Sequence, residues 1–384
     1  MSIKGVIENM KLIQHALLKF IEDEANTEEN YDNFIKLTTD QKIIEDRYKL
    51  KSLLQLINSI SNNHQRVYNF VYKIEQILVH FKKDITKFFT NSEIFKIFCE
   101  NKRIILSLIQ EKIIIIDEYI VSEITSEENF KKHYPEYFSP EIKQFLTDEF
   151  ISKYKKRNKD LQKAENIQEI KKEVSKEFYE KRKQGENDNY LCELIRLNDA
   201  KKFCVYVNKN YILLQSNIKE SIFETNSIFL GKSDIKLIEY ASFYGSNEII
   251  KYMFINECDM TSNMWIYAVH AQNDELIKYL EDNHVLPPEN NFEIVLDESI
   301  KCHHNDVSNY IIYNLIEEKE LKYNIENEFY RNYYRFSIGF YNYNFFPENL
   351  EYKYMFLYLC RFDYYILVNL YLQHQNIDIN NKSI

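Results

Sequence analysis

Glycine and proline are scarce in this chain, five of each in 384 residues, and alanine occurs seven times. A β-sandwich, a dinucleotide-binding α/β domain and a collagen-like chain all lean on glycine for turns or close backbone approach. Helices need few glycines, so the shortage points to an all-α protein. Long apolar runs are missing too. The nearest approach, Ile104 to Val121, is broken by Gln110, Glu111, Lys112, Asp117 and Glu118, whereas a membrane helix needs about 20 predominantly apolar residues. Lys4, Glu8 and Lys11 interrupt the N-terminus, which leaves no room for the apolar core of a secretory signal. The six cysteines (Cys99, Cys192, Cys204, Cys258, Cys302 and Cys360) form no C-x-x-C pair. Scattered thiols of this kind read as reduced residues in helical cores. The expected compartment is the cytoplasm, with the nucleus as second choice. Positive charge is in deficit, 49 basic against 59 acidic residues, for a formal charge of −10. A field of that sign repels a free polyanion.

What the chain has is apolar and aromatic side chains, 45% hydrophobic overall with 31 Tyr and 26 Phe, enough for a sizeable core. Residues 1–150 read as long helices in a bundle. Between Gln65 and Thr90 the residues Val67, Val71, Ile74, Leu78, Phe81, Ile85 and Phe88 keep a 4-3 spacing, the seam of a helix facing a partner. Phe70, Ile77 and Val79 widen the face, which favours a bundle helix over a free dimeric coiled coil. Flanking helices are expected over Lys42 to Ile60 and Asn101 to Ser122. Such helices also offer a surface for self-association.

Residues 151–183 change character, with twelve Lys or Arg against six Asp or Glu. They are expected to form a charged connecting helix over 151–185, ended by Gly185. The third segment, 186–384, contains a repeat. Ile238 to Met253 aligns with Trp265 to Leu280: a small residue (Ala241, Ala268), a turn residue (Gly245, Gln272), an acidic residue, an apolar pair and Lys-Tyr all coincide. The same frame fits Leu296 to Ile311, with Ser299 in the small position, and Phe356 to Leu372. A degenerate unit is expected between Leu321 and Leu350, and an irregular one from Tyr190. Each unit reads as two short amphipathic helices that must stack on neighbours to bury their apolar faces.

Ala241, Gly245, Ile249 and Ile250, with Leu367 to Asn380 at the end, resemble the ankyrin-repeat family. The stretch from Glu186 to Asn314 looks most like the divergent, functionally uncharacterised ankyrin-like proteins expanded in some parasitic protists. The Thr-Pro-Leu-His turn of that family is absent, its places being held by Lys236 to Glu239 and Asn263 to Ile266. The spacings also fall short of the usual 33 residues. The resemblance covers about half the chain and implies an ankyrin-like helical-repeat solenoid there, following the N-terminal helical bundle expected from the apolar spacing of residues 1–150. It also implies a non-catalytic scaffold that binds a partner protein and needs no cofactor. In that family the two residues before the interhelix turn project toward the concave side. Here they are Phe243 and Tyr244, His270 and Ala271, Lys301 and Cys302, Arg361 and Phe362. The competing expectation is that Phe243 and Phe362 seal adjacent repeats.

Chemical motifs are weak. Gly231-Lys232-Ser233 lacks the first glycine of a phosphate-binding loop, Asn226 standing in its place. Cys302-His303-His304 invites a metal, but three adjacent residues cannot all reach one ion. An interhelix turn that solvates or caps the helix end is the simpler expectation, and no metal is assigned. No nucleophile elbow or kinase motif occurs, so no enzymatic activity is expected. The alternative function is nucleic-acid binding by the basic segment 151–183 and the aromatic run 329–346, ten Tyr or Phe in eighteen residues. Core packing explains that run more simply, because it carries only Arg331 and Arg335.

Overall fold

The computed structural model of the chain describes residues 2–25, 27–64, 66–67, 69–147, 149–150, 170, 173–316, 328–347 and 354–374. Among them the secondary structure is helical, apart from an isolated antiparallel bridge between Asn217 and Lys236. No described helix is long and apolar enough to cross a membrane. Most of the basic segment 151–183 lies outside the described residues. Packing divides the chain into two units, Met1–Ile74 with Trp265–Ile384, and Glu75–Met264. The stretch expected as a single bundle over 1–150 is therefore shared between two units.

The repeat frame reappears as six helix pairs. Their first and second helices are Tyr190–Arg196 and Ala200–Lys209, Leu237–Tyr244 and Asn247–Ile255, Met264–His270 and Asp274–Asp282, Phe292–Lys301 and Asn305–Asn314. The fifth pairs Glu328–Gly339 with a short 3-10 turn, Tyr343–Phe345, and the sixth pairs Met355–Arg361 with Tyr365–His374. One turn joins each pair. A left-handed residue stands at Asn198, Gly245, Gln272, His303, Tyr341 and Asp363. The next amide reaches back to the carbonyl five residues earlier: Asp199 to Leu194, Ser246 to Ala241, Asn273 to Ala268, His304 to Ser299, Asn342 to Ser337 and Tyr364 to Leu359. This is the 6→1 bond that closes a helix C-terminus. The residues whose carbonyls accept are buried, so the small-residue position of the frame is both a packing and a capping position.

The residue after the left-handed one also ties hairpins together. Within 75–264, Ser246 Oγ donates to Ile195 O at 2.5 Å. Within the other unit, His304 Nε2 meets His270 O at 3.3 Å, Asn342 Nδ2 donates to Ile300 O at 2.9 Å, and Tyr364 Oη to Ile338 O at 2.7 Å. Four different side chains thus bond to the last carbonyls of the preceding first helix, three of which (Ile195, Ile300 and Ile338) also accept an amide of their own turn.

The N-terminal part of its unit begins with α1 (Ile3–Glu22), α2 (Glu28–Asp40) and α3 (Arg47–Asn63). Ser2 caps α1 and Asp46 caps α3, accepting from the amides of Gly5 and of Tyr48 and Lys49. Leu50, Leu53, Leu54, Ile57 and Ile60 of α3 are fully buried, the 3-4 spacing of an apolar stripe. Buried Gln14 of α1 accepts from the Tyr343 amide at 2.7 Å and donates to Asn342 Oδ1 at 3.3 Å.

The helix expected from Gln65 to Thr90 is two, Phe70–His80 and Lys82–Phe88, and Asn69 before the first is left-handed. Lys112, likewise left-handed, ends Lys102–Gln110. Asp117 then restarts a helix at Glu118–Ile124, in place of the continuous helix expected over Asn101 to Ser122. In 75–264, Lys176–Gln184 is helical and closes on Gly185, at φ 72°. Its Arg182 is buried and makes a bidentate pair with Glu141 at 2.8 and 2.9 Å.

Candidate functional site

The residues just before the turn within each hairpin are the expected docking positions. In the unit of Met1–Ile74 and Trp265–Ile384, α3 and the residues just after it lie along these turns. Arg66 Nη1 donates to Ala271 O at 2.8 Å in the third hairpin. Asn63 Nδ2 donates to Lys301 O at 3.3 Å, and His64 Nε2 meets Cys302 O at 2.8 Å, in the fourth. Ser59 Oγ donates to Phe340 O at 3.0 Å in the fifth, and Lys51 pairs with Asp363 in the sixth. Tyr48 stacks on Tyr365 with centroids 3.6 Å apart. The order of contacts along α3 runs opposite to the order of the hairpins. The chain itself therefore covers these turns, and its apolar stripe makes α3 part of the core.

This placement corrects part of the expected site. His270 is buried at 5% exposure and faces Glu298, Nε2 to Oε1 3.7 Å. Lys301 is half-buried, its Nζ 3.2 and 3.3 Å from the Glu298 oxygens. Phe362 is half-buried against Gly339, where an added Cβ would come within 2.9 Å of its ring. Arg361 remains exposed, its guanidinium 5.7 Å from the Phe362 ring. In the other unit, Phe243 is fully buried against Phe229, centroids 4.7 Å apart. Half-buried Tyr244 receives a hydrogen bond from Asn226 Nδ2 at 3.1 Å. Phe243 and His270 are thus unavailable to a partner because a loop or a neighbouring hairpin already fills that space. Of the aromatic run, Phe329, Tyr341, Tyr343 and Phe346 are buried and the other six rings are half-buried.

Cys302-His303-His304 is not a solvated turn. All three are buried, and the fold brings His64 and His270 to them. Four of the nine histidines therefore lie buried beside Cys302, with half-buried Glu298 and exposed Glu22 at their edge. Burial holds every one of these rings below the ordinary imidazole value, His64 at about 4 and His303 at about 3. They are neutral near pH 7, the form that ligates metals. A donor atom from each of Glu22, His64 and His304 lies within 4.8 Å of the other two, and His270, Glu298 and Cys302 form a second such group. Sequence reasoning missed this because the partners lie some 240 and 30 residues from Cys302, on elements whose docking has no local signature.

In 75–264 the buried polar centre is different. Lys102 Nζ donates to Glu224 O at 3.1 Å and stands 5.5 and 5.3 Å from the rings of Tyr134 and Tyr137. Burial lowers its ammonium to about 7, against the pull of Glu224 and Glu136. The Glu224 carboxylate accepts from the Thr225 and Asn226 amides. Lys102 Nζ and Glu224 Oε1 are held by fixed backbone partners, while Oε2 of Glu224 and Oε2 of Glu136 are buried without a hydrogen bond. By contrast, the outer surface of the first hairpin is open. Val205 is 66% exposed, Tyr211 92% and Leu213 76%, and Lys201, Lys202, Asn208 and Lys209 share the exposed side of that helix.

No protein-family model, no curated protein and no solved structure matches this chain.

Proposed function

We propose that the chain is a non-catalytic scaffold of divergent ankyrin-like hairpins that binds a partner protein. The observation that carries this reading is the outer face of the first hairpin. Large apolar side chains at Val205, Tyr211 and Leu213 stand in solvent among three lysines. Such residues cost solubility unless something covers them, and Tyr is enriched in binding hot spots. The partner that fits is an acidic protein segment with apolar anchors, because Lys201 and Lys209 flank the Val205 position on the same helix. The turn face is not used, since α3 and the 223–229 loop occupy it.

The test compares the full chain with a Val205→Asp, Leu213→Asp variant as baits in a native lysate. Both positions are exposed, so denaturant melts should agree within about 0.5 kcal/mol. Proteins retained by the wild type and lost by the variant are the expected result. Identical sets of retained proteins would refute the reading.

A further inference from the structure

We propose that Glu22, His64 and His304 form a binding site for a divalent transition-metal ion of the zinc class. The three residues stand at the ends of three helices of one unit: Glu22 is the last residue of α1, His64 follows α3, and His304 precedes Asn305–Asn314. His64 Nε2 lies 2.8 Å from the carbonyl oxygen of Cys302. A carbonyl can only accept, so Nε2 carries the proton and Nδ1 presents a lone pair. That lone pair faces Glu22 Oε1 at 3.5 Å. His304 repeats the arrangement. Its Nε2 lies 3.3 Å from His270 O, which leaves Nδ1 as its acceptor. The two imidazoles meet edge to face, centroids 5.2 Å apart.

One ligand atom from each of the three residues lies within 4.8 Å of the others, with the free Nδ1 of His64 facing the Glu22 carboxylate. A cation resolves the repulsion between those two acceptors. A tetrahedral zinc ion places ligand nitrogen and oxygen about 3.3 Å apart, from bonds of about 2.0–2.1 Å. Metal-bound histidines characteristically donate their other ring proton to a backbone carbonyl or carboxylate, and both rings here do so. Two imidazoles and one carboxylate suit zinc and its neighbours, whereas calcium and magnesium take oxygen ligands. Glu22 keeps 46% of its side chain exposed, which provides an entry path and leaves room for water at a remaining coordination position. The neighbouring group His270, Glu298 and Cys302 is less suited, because the Lys301 ammonium already sits against both oxygens of Glu298.

The test is titration of the full chain, stripped with chelator, with cobalt(II) and separately with zinc(II). Calorimetry reads the stoichiometry and visible absorption reads the coordination. The site predicts one equivalent bound, with ligand-field bands of low-coordinate cobalt and no thiolate charge-transfer band. Binding should weaken by at least ~10-fold in Glu22→Gln, a half-exposed change that spares the core, and in His304→Gln. It should be unchanged in Cys302→Ser. Absence of saturable binding would overturn the proposal, as would binding indifferent to Glu22→Gln. A thiolate band lost in Cys302→Ser would also overturn it, by moving the ion to the neighbouring group.

Discussion

Buried Lys102 shows how a single residue writes itself into the stability of its unit. Its Nζ is satisfied by the carbonyls of Glu224 and Ile222, at 3.1 and 3.4 Å, yet the ammonium is out of water and its pKa falls to about 7. In the unfolded chain the same group holds its proton to about 10.4. Between these values the unfolded state binds more protons, so stability rises with pH. The cost of the buried charge is complete below about pH 7 and is gone above about pH 10. Lys102→Met removes that titration. The stability of wild type relative to the variant should therefore climb between pH 7 and 10, by up to ~1.4 kcal/mol per pH unit. Parallel denaturation midpoints across that range would show that Lys102 is solvated. Nothing in the sequence marked this lysine, because one Lys among 49 basic residues differs from the rest only by where the fold puts it.

At the scale of elements, the helix pairs were legible and several of the long helices were not. The pairs are set by local chemistry, a buried residue (small in four of the six, Leu194 and Leu359 in the others) and a left-handed residue four positions later, and both recur at fixed spacing. Only one of the six turns uses glycine for that conformation. The others place Asn198, Gln272, His303, Tyr341 and Asp363 there, at a cost that glycine avoids. Exposed Gln272→Gly should therefore stabilise the third hairpin by about 1 kcal/mol, read by chemical denaturation. Destabilisation there would mean that the Gln272 side chain contributes more than its backbone costs. The same substitution of ordinary residues for glycine explains the misread helices. Asn69 and Lys112 turn the chain left-handed without leaving a glycine to announce a break, and Phe81, which separates Phe70–His80 from Lys82–Phe88, departs from helical dihedrals while keeping its place in the apolar spacing.

For the whole molecule, the expected partition and the packing part company at α3. Its apolar stripe was visible, but its destination was not. Ala271, Lys301, Cys302 and Phe340 all receive α3 and its following residues through backbone carbonyls, and every residue has one, so the ladder has no sequence signature. The histidine cluster was hidden for the same reason, since it exists only where α3 ends against the fourth hairpin. The central claim is that α3 lies along the turns of the third to sixth hairpins, which makes the N-terminal 74 residues part of the repeat unit. Zero-length carbodiimide coupling of the intact protein tests it most directly. Lys51 and Asp363 are in contact, 312 residues apart in sequence, and both are partly exposed. Peptide mapping should recover the Lys51–Asp363 amide alongside the short-range Lys278–Asp282 link. Recovery of the short-range link without Lys51–Asp363 would contradict the account.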